Sequence, residues 1–261
     1  MKKQPDMLLF MSDQHAAWYT GFESGLVDTP NLYAIADRGV YLQNMYTPCP
    51  LCVPARMSFL SGKLASKTGI LTNNDTLPDL CPTFLHTLVE QGYDTVLIGR
   101  MHFVGSERRH GFTKRLAKDI TPGTWNRPTS QLKEERGVFL SGFGYSGALK
   151  AMGGGDSPVL QFDEYVIQEA LSYLAQEHER PQFIVVGTYG PHFPYVGPPD
   201  LYRKYKEAAL LPPLFGKTPD YMNACLKNRQ MPATEEQGKQ AMAAYLAMVE
   251  TADRQVGQVK A

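Results

Sequence analysis

Three short stretches with the composition of buried strands do most to limit what this chain can fold into. Met7-Leu8-Leu9-Phe10-Met11 and Phe183-Ile184-Val185-Val186 are continuous apolar runs, and Tyr93 to Ile98 is rich in β-formers. Each is too short for a buried helix and stops abruptly at polar or glycine-containing residues. Runs of this kind belong to strands covered on both faces, as in parallel sheets flanked by helices. Helical patterns lie between them. Thr29-Pro30-Asn31, then Leu32, Ile35 and Ala36 closing on Gly39, predicts a helix with Thr29 as its N-cap. Pro82 opens a helix over Thr83 to Gln91 that Gly92 stops, and Gln161 to Arg180 repeats apolar residues at spacings of three and four. Glu235 to about Lys260 does the same, whereas Val40 to Tyr46 reads as a further strand. Residues 118–158 give no usable pattern, and Gly153-Gly154-Gly155 lacks the strand-then-helix setting of a phosphate loop. The class is α/β.

In open α/β sheets ligands bind beyond the carboxyl ends of the strands. The residues there are Asp13 and Gln14 after the first run, Arg100 and His102 after the second, and His192 after the third. Asp13 is suited to a divalent cation or, equally, to capping a loop. Arg100 and His102, alone, would pass for a solvated loop. His192, between prolines in Pro191-His192-Phe193-Pro194, is suited to proton transfer near neutral pH.

A fourth group comes from Thr47-Pro48-Cys49-Pro50-Leu51-Cys52-Val53-Pro54-Ala55-Arg56. Prolines stiffen its first half, and Pro54 suits the first turn of a helix expected from about Pro54 to Leu60. Cys52 then sits beside a helix N-terminus, whose unpaired N–H groups favour negative charge, and Arg56 adds a cation one turn in. A nucleophile beside an anion cradle is what hydrolysis of a sulfate or phosphate ester requires. A cysteine at a helix start is nevertheless more often a small core residue. Cys49 and Cys52 form a C-x-x-C pair, but Cys81 and Cys225 supply no second pair for a structural zinc site. Only three residues separate Cys52 from Arg56, which does not fit the longer loop of cysteine phosphatases.

Cys52-Val53-Pro54-Ala55-Arg56 matches the Cys-x-Pro-x-Arg signature of sulfatases, and three further segments resemble that family in order: the strand ending in Asp13, Gly99-Arg100-Met101-His102-Phe103-Val104-Gly105, and Pro191-His192-Phe193-Pro194. The resemblance spans almost the whole chain, with "MHFVGSERRHGFTKRL" similar to choline-sulfatase-type members. It implies an alkaline-phosphatase-like fold with a mostly parallel central sheet flanked by helices on both faces. It also implies that Cys52 is oxidised to formylglycine by a maturation enzyme, the hydrated aldehyde being the nucleophile. Asp13, Gln14 and the modified Cys52 would hold a divalent metal, Ca2+ before Mg2+ or Mn2+. Arg56 and Arg100 would grip the sulfate, His102 would contact the formylglycine, and His192 would protonate the leaving alcohol. Two positions depart from the family pattern: Gln14 replaces a second Asp, and Arg100 replaces a lysine, keeping charge but changing geometry. His110 and Arg115 are expected to be structural.

The family completes its metal shell with an Asp followed by His or Asn, and no such pair occurs in these 261 residues. Residues 1–261 are therefore expected to form an incomplete N-terminal catalytic domain with an open sheet edge. The alternatives to a sulfuric ester hydrolase are an inert truncated homologue and a phosphate or phosphonate monoesterase. Basic and acidic residues cancel, 26 against 26, which gives no support to nucleic-acid or membrane-surface binding. The five apolar residues after Met1-Lys2-Lys3-Gln4-Pro5-Asp6 are too few for a signal-peptide core, so a cytoplasmic protein is expected. The expected partners are a small-molecule sulfate ester and the maturation enzyme, with homo-oligomerisation left open.

Overall fold

The computed structural model describes residues 4–120, 152–208, 210–217 and 232–260. Its centre is a four-stranded parallel sheet ordered β1-β5-β2-β3, with β1 Met7–Met11, β2 Asp94–Gly99, β3 Lys114–Lys118 and β5 Gln182–Gly187. The three expected strands are neighbours. Met7 pairs with Phe183 and Met11 with Gly187, while Asp94 pairs with Gln182 and Gly99 with Gly187, so their carboxyl ends lie in one row.

Side chains alternate between two apolar layers, as the pleat requires. Val96, Ile98, Ile184 and Val186 face one layer, packing on Val159, Phe162, Val166 and Ala170 of α6 (Pro158–Leu174) and on Met248 and Val259 of α8 (Glu235–Lys260). Leu97, Phe183 and Val185 face the other, against Val53, Met57 and Leu60 of α3 (Cys52–Ser61) and Leu85 of α5 (Phe84–Glu90). Burial on both faces explains why β1 and β5 read as unbroken apolar runs. A third cluster joins α8 to α7 (Pro199–Glu207) through Leu201, Tyr205, Leu246 and Val249.

The remaining elements are short: α1 Gly21–Ser24, α4 Ala65–Thr68, and β4 Gly153–Gly154 paired in parallel with β6 Val196–Gly197. Gly153 and Gly154 thus belong to a small two-stranded sheet and not to a phosphate loop. Most of residues 118–158, which give no usable sequence pattern, lies outside the described residues.

Several expectations need correction. Val40 to Tyr46 is not a strand; Val40 and Tyr46 are 81% and 84% exposed. β-forming side chains make a strand only with a ladder partner, and the segment has none among the described residues. The cysteine helix starts two residues before Pro54, at Cys52, with Leu51 as its N-cap. The Gln161–Arg180 helix runs instead from Pro158 to Leu174, because Ser157 accepts from the Leu160 N–H and Pro158 takes the first position. Helix α2 (Pro30–Arg38) has the expected ends, but the Thr29 side chain does not cap it. Thr29 Oγ1 accepts from Gly21 N, and Asp253 of α8 accepts from Asn31 N at 3.2 Å, Asn31 Nδ2 at 2.9 Å and Leu32 N at 2.8 Å. The helix expected over Thr83 to Gln91 is α5, Phe84–Glu90, with Thr83 outside it as N-cap in a reciprocal capping box with His86.

Candidate active site

The site forms where the row of strand ends meets the N-terminus of α3. Gly99 and Gly187, paired across β2 and β5, make the junction possible. A Cβ on Gly187 would lie 2.1 Å from the Arg100 carbonyl oxygen, and one on Gly99 would lie 2.3 Å from the Gly187 oxygen. The chain can therefore turn at once after β2, bonded through Arg100 N to Gly187 O, and send the Arg100 side chain into the interior.

Asp13 is the hub. Its Oδ2 is 2.9 Å from both Arg56 Nη2 and Arg100 Nε, and its Oδ1 accepts from Cys52 Sγ at 3.4 Å. One carboxylate thus ties the end of β1, the start of α3 and the end of β2 together. Burial alone would raise the Asp13 carboxyl, but the Arg100 and Arg56 guanidiniums outweigh it and hold it well below the usual carboxylate range. Arg100 is fully buried, with its guanidinium 3.9 Å over the Tyr189 ring. Arg56 is fixed further by donating to Arg100 O and Met11 Sδ.

The cysteine lies at the first position of α3 and is half-buried. Burial and then the Asp13 carboxylate push its thiol up, against the opposing pull of Arg100 and Arg56. A thiol used directly as a nucleophile is normally lowered by its surroundings. Here the helix N-terminus does not produce that result.

Both histidines are neutral at pH 7, for the same reason. Burial, with Arg100 nearby, lowers His102 to about 4; burial and Arg100 also outweigh Asp13 to leave His192 at about 4. Their tautomers follow from their partners. His102 Nδ1 accepts from Arg100 Nη2 at 3.2 Å, which puts its proton on Nε2. His192 Nδ1 donates to Phe193 O at 2.7 Å, which puts its lone pair on Nε2. His102 is held in a left-handed conformation (φ 58°) by its N–H donating to Asp119 at 2.7 Å.

Gln14 lies beside Asp13 in sequence, but its side chain is exposed and its Nε2 donates to Tyr195 Oη at 2.9 Å. His110 and Arg115 both pack on Phe103, with ring centroids 5.0 Å apart and a guanidinium at 5.6 Å respectively. Among the described residues, the one group of three or more His, Cys, Asp and Glu able to share an ion is Asp13, Cys52 and His192, whose ligand atoms lie within 4.8 Å of one another.

A residue not anticipated from the sequence is Asp163 of α6. It is buried, and it accepts from Tyr189 N at 2.6 Å and Gly190 N at 2.7 Å. Gly190 O in turn accepts from Asp13 N at 3.2 Å. The carboxylate therefore fixes the loop carrying His192 against the loop carrying Asp13. Burial raises it to about 7 in spite of those two N–H donors. In the sequence Asp163 is one more polar position on an amphipathic helix, and only the fold shows that it points inward.

Comparisons with known proteins agree with this architecture. The Sulfatase family model matches residues 5–261. The chain is 29% identical to the choline-sulfatase of Rhizobium meliloti, over 98% of this chain and 53% of that protein. It is 24% identical to the arylsulfatase of Clostridium perfringens, over 97% of this chain and 58% of that one. It thus spans little more than half the length of these relatives. Among solved structures, the phosphonate monoester hydrolase of Agrobacterium radiobacter superposes with a TM-score of 0.68 at 18% identity, covering 98% of this chain and 58% of that chain. A protein solved with its substrate D-glucosamine-2-N,6-O-disulfate gives 0.66 at 19% identity, covering 98% and 61%. At these identities the superpositions establish the fold, which is alkaline-phosphatase-like.

Proposed function

The chain belongs to the sulfatase family, and from that premise we propose that residues 1–261 are the N-terminal part of a catalytic domain that hydrolyses sulfuric monoesters at the Asp13 cluster. The observation carrying this reading is the buried Asp13 carboxylate shared by Arg56 and Arg100, with Cys52 Sγ 3.4 Å away at the first position of a helix. Two guanidiniums and a helix N-terminus around one potential nucleophile favour a tetrahedral oxyanion. The coverage of just over half of the choline-sulfatase and arylsulfatase supports the domain assignment.

Cys52 converted to formylglycine would supply the hydrated aldehyde oxygen as nucleophile, and its half-buried place beside Asp13 fits that group. Asp13 Oδ1, the oxygen turned to Cys52, would accept a hydrogen bond from the hydrate and orient it; held well below the usual carboxylate range, it is too weak a base to keep the proton. Arg56 and Arg100 neutralise charge on the transferred sulfuryl oxygens, and Arg100 gives a planar fork where the family pattern has lysine. His102, neutral with its proton on Nε2, is a hydrogen-bond donor at the same edge.

His192 starts neutral, so it must gain the proton it gives to the leaving alcohol. A bound sulfate ester brings negative charge next to it and favours the imidazolium. Calcium takes six to eight oxygen ligands, and the described residues bring together one carboxylate, one sulfur and one imidazole. Asp13 would supply one oxygen of a calcium shell, and such an ion would neutralise charge on the bound sulfate; its other oxygens would come from groups beyond Asp13, Cys52 and His192.

No helix among the described residues is long and apolar enough to cross a membrane. The test is to co-express the chain with a formylglycine-generating enzyme, measure aldehyde at residue 52, and assay matched sulfate, phosphate and phosphonate esters against Cys52→Ala. Turnover of sulfate esters that needs Cys52 supports the proposal. Turnover confined to phosphonates or phosphates would reassign the substrate class, and conversion without turnover of any ester would favour the inert-homologue alternative.

A further inference from the structure

With its cysteine unconverted, the same edge of the sheet has the donor set of a different kind of ion. We propose that the thiol form of this protein binds Zn2+, or another borderline-soft divalent ion, through Asp13 Oδ1, Cys52 Sγ and His192 Nε2. Gln14, the ligand expected from the sequence, is not part of this set; its side-chain Nε2 donates to Tyr195 Oη.

Three features carry the inference. The first is spacing. A tetrahedral zinc site has Zn–S near 2.3 Å and Zn–O near 2.0 Å, which sets sulfur and oxygen about 3.5 Å apart. Cys52 Sγ and Asp13 Oδ1 are 3.4 Å apart, and a ligand nitrogen of His192 lies within 4.8 Å of both. The second is the histidine. Metal-bound imidazoles commonly donate their other N–H to a carbonyl or carboxylate, which fixes ring and tautomer. His192 makes that bond already, from Nδ1 to Phe193 O at 2.7 Å, so the nitrogen bearing the lone pair is Nε2. His192 lies in the loop that Asp163 anchors through Gly190 N.

The third feature is selectivity. Asp13 Oδ2 is occupied by two guanidiniums, so the carboxylate has one oxygen to offer. Arg56 and Arg100 also repel any cation placed beside it. That opposition weighs most on a hard ion held by charge and many oxygens, and least on an ion held by a metal–sulfur bond. Sulfur, nitrogen and oxygen donors in one three-ligand group are the zinc pattern, with the fourth position left to water.

Metallation forms a Zn–S bond and releases the thiol proton to solvent; no electrons are transferred. A Cys52 held in this way is withdrawn from alkylation and from oxidation. The inference concerns the unconverted chain, so it stands apart from the hydrolase assignment.

The experiment is a Co2+ titration of the reduced, unconverted full chain, followed by absorbance. A sulfur-to-cobalt charge-transfer band with the strong visible absorption of tetrahedral cobalt is expected at one ion per chain. Zn2+ should bleach it and excess Ca2+ should not. Cys52→Ser should remove the band, and His192→Ala should weaken binding by about tenfold or more. Cys49→Ser should leave both unchanged. In parallel, Zn2+ should slow iodoacetamide labelling of Cys52 but not of Cys49 or Cys81, a readout on the wild-type chain that does not depend on any variant folding. The proposal is overturned if no band forms, if the band survives Cys52→Ser or disappears with Cys49→Ser, if Ca2+ competes as well as Zn2+, or if Zn2+ leaves Cys52 labelling unchanged.

Discussion

Asp13 and Asp253 are both buried carboxylates, 7% and 0% exposed, and they are used in opposite ways. Asp253 bonds to neutral donors at the start of α2: two backbone N–H groups and the Asn31 amide. It replaces the missing Thr29 side-chain cap and ties α8 to an element 222 residues away. Asp13 bonds to charged and exchangeable partners, two arginines and a thiol, contributed by α3 and the end of β2. One saturates its carboxylate to hold structure. The other concentrates opposite charge at a place where a further anion or cation can change the balance.

The largest expected effect comes from Asp13→Ala, which leaves Arg56 and Arg100 buried without their shared carboxylate. Breaking a buried pair from one side costs about 3–5 kcal/mol, and urea unfolding should show a loss of that order together with loss of any Cys52-dependent turnover. Asp253→Ala should cost less, about 1–3 kcal/mol, because it unpairs neutral donors. Its signature is loss of hydrogen-exchange protection at Asn31 and Leu32, with the resonances of His102 and His192 unmoved. If Asp253→Ala disturbed those histidines as much as Asp13→Ala does, the contrast between the two carboxylates would fail.

Asp163 lies between these cases, being structural in its bonds but directed at the site. An amide at this position has one oxygen for two N–H donors, so Asp163→Asn should cost about 1–3 kcal/mol and should shift His192, as Asp253→Ala should not. It also has a pH signature. His102 and His192 fall from 6.5 to about 4 on folding, so between those values the unfolded chain binds protons that the folded chain does not. Stability is therefore lost as pH drops through that window. Asp163 rises from 3.8 to about 7, so it binds a proton in the folded chain and opposes that loss. Asp163→Asn removes the opposition, and stability measured from pH 6.5 to 4 should fall more steeply than in the wild type. An unchanged slope would mean that Asp163 is already ionised across the window.

Much of this was legible in the sequence where local signals decide. The apolar runs gave β1 and β5, the glycine and proline punctuation gave the ends of α2 and α5, and helix α8 runs from Glu235 to Lys260 as the periodicity predicts. The polar residues at the three strand ends and Cys52 with Arg56 were also legible, because strand ends and helix starts are local features. Their convergence depends on β1, β5 and β2 being adjacent, which no single segment encodes. Val40 to Tyr46 has strand composition without a partner strand among the described residues. Lys114–Lys118 is a strand with the composition of a charged loop, because it pairs with β2 at the sheet's edge. Helix α7 was not anticipated, although Leu201 and Tyr205, four residues apart, mark its buried side. Asp163 and Asp253 resemble ordinary polar positions until the packing turns them inward.

On the reading proposed here, the strand ends and the α3 N-terminus form one site that receives an oxyanion beside Asp13 and His192. The direct measurement is an NMR titration of the His192 ring with and without inorganic sulfate. A midpoint near pH 4 is expected in the free protein, raised when sulfate binds, with the rise lost in Arg100→Ala. A midpoint at the ordinary histidine value that sulfate leaves unchanged would contradict it.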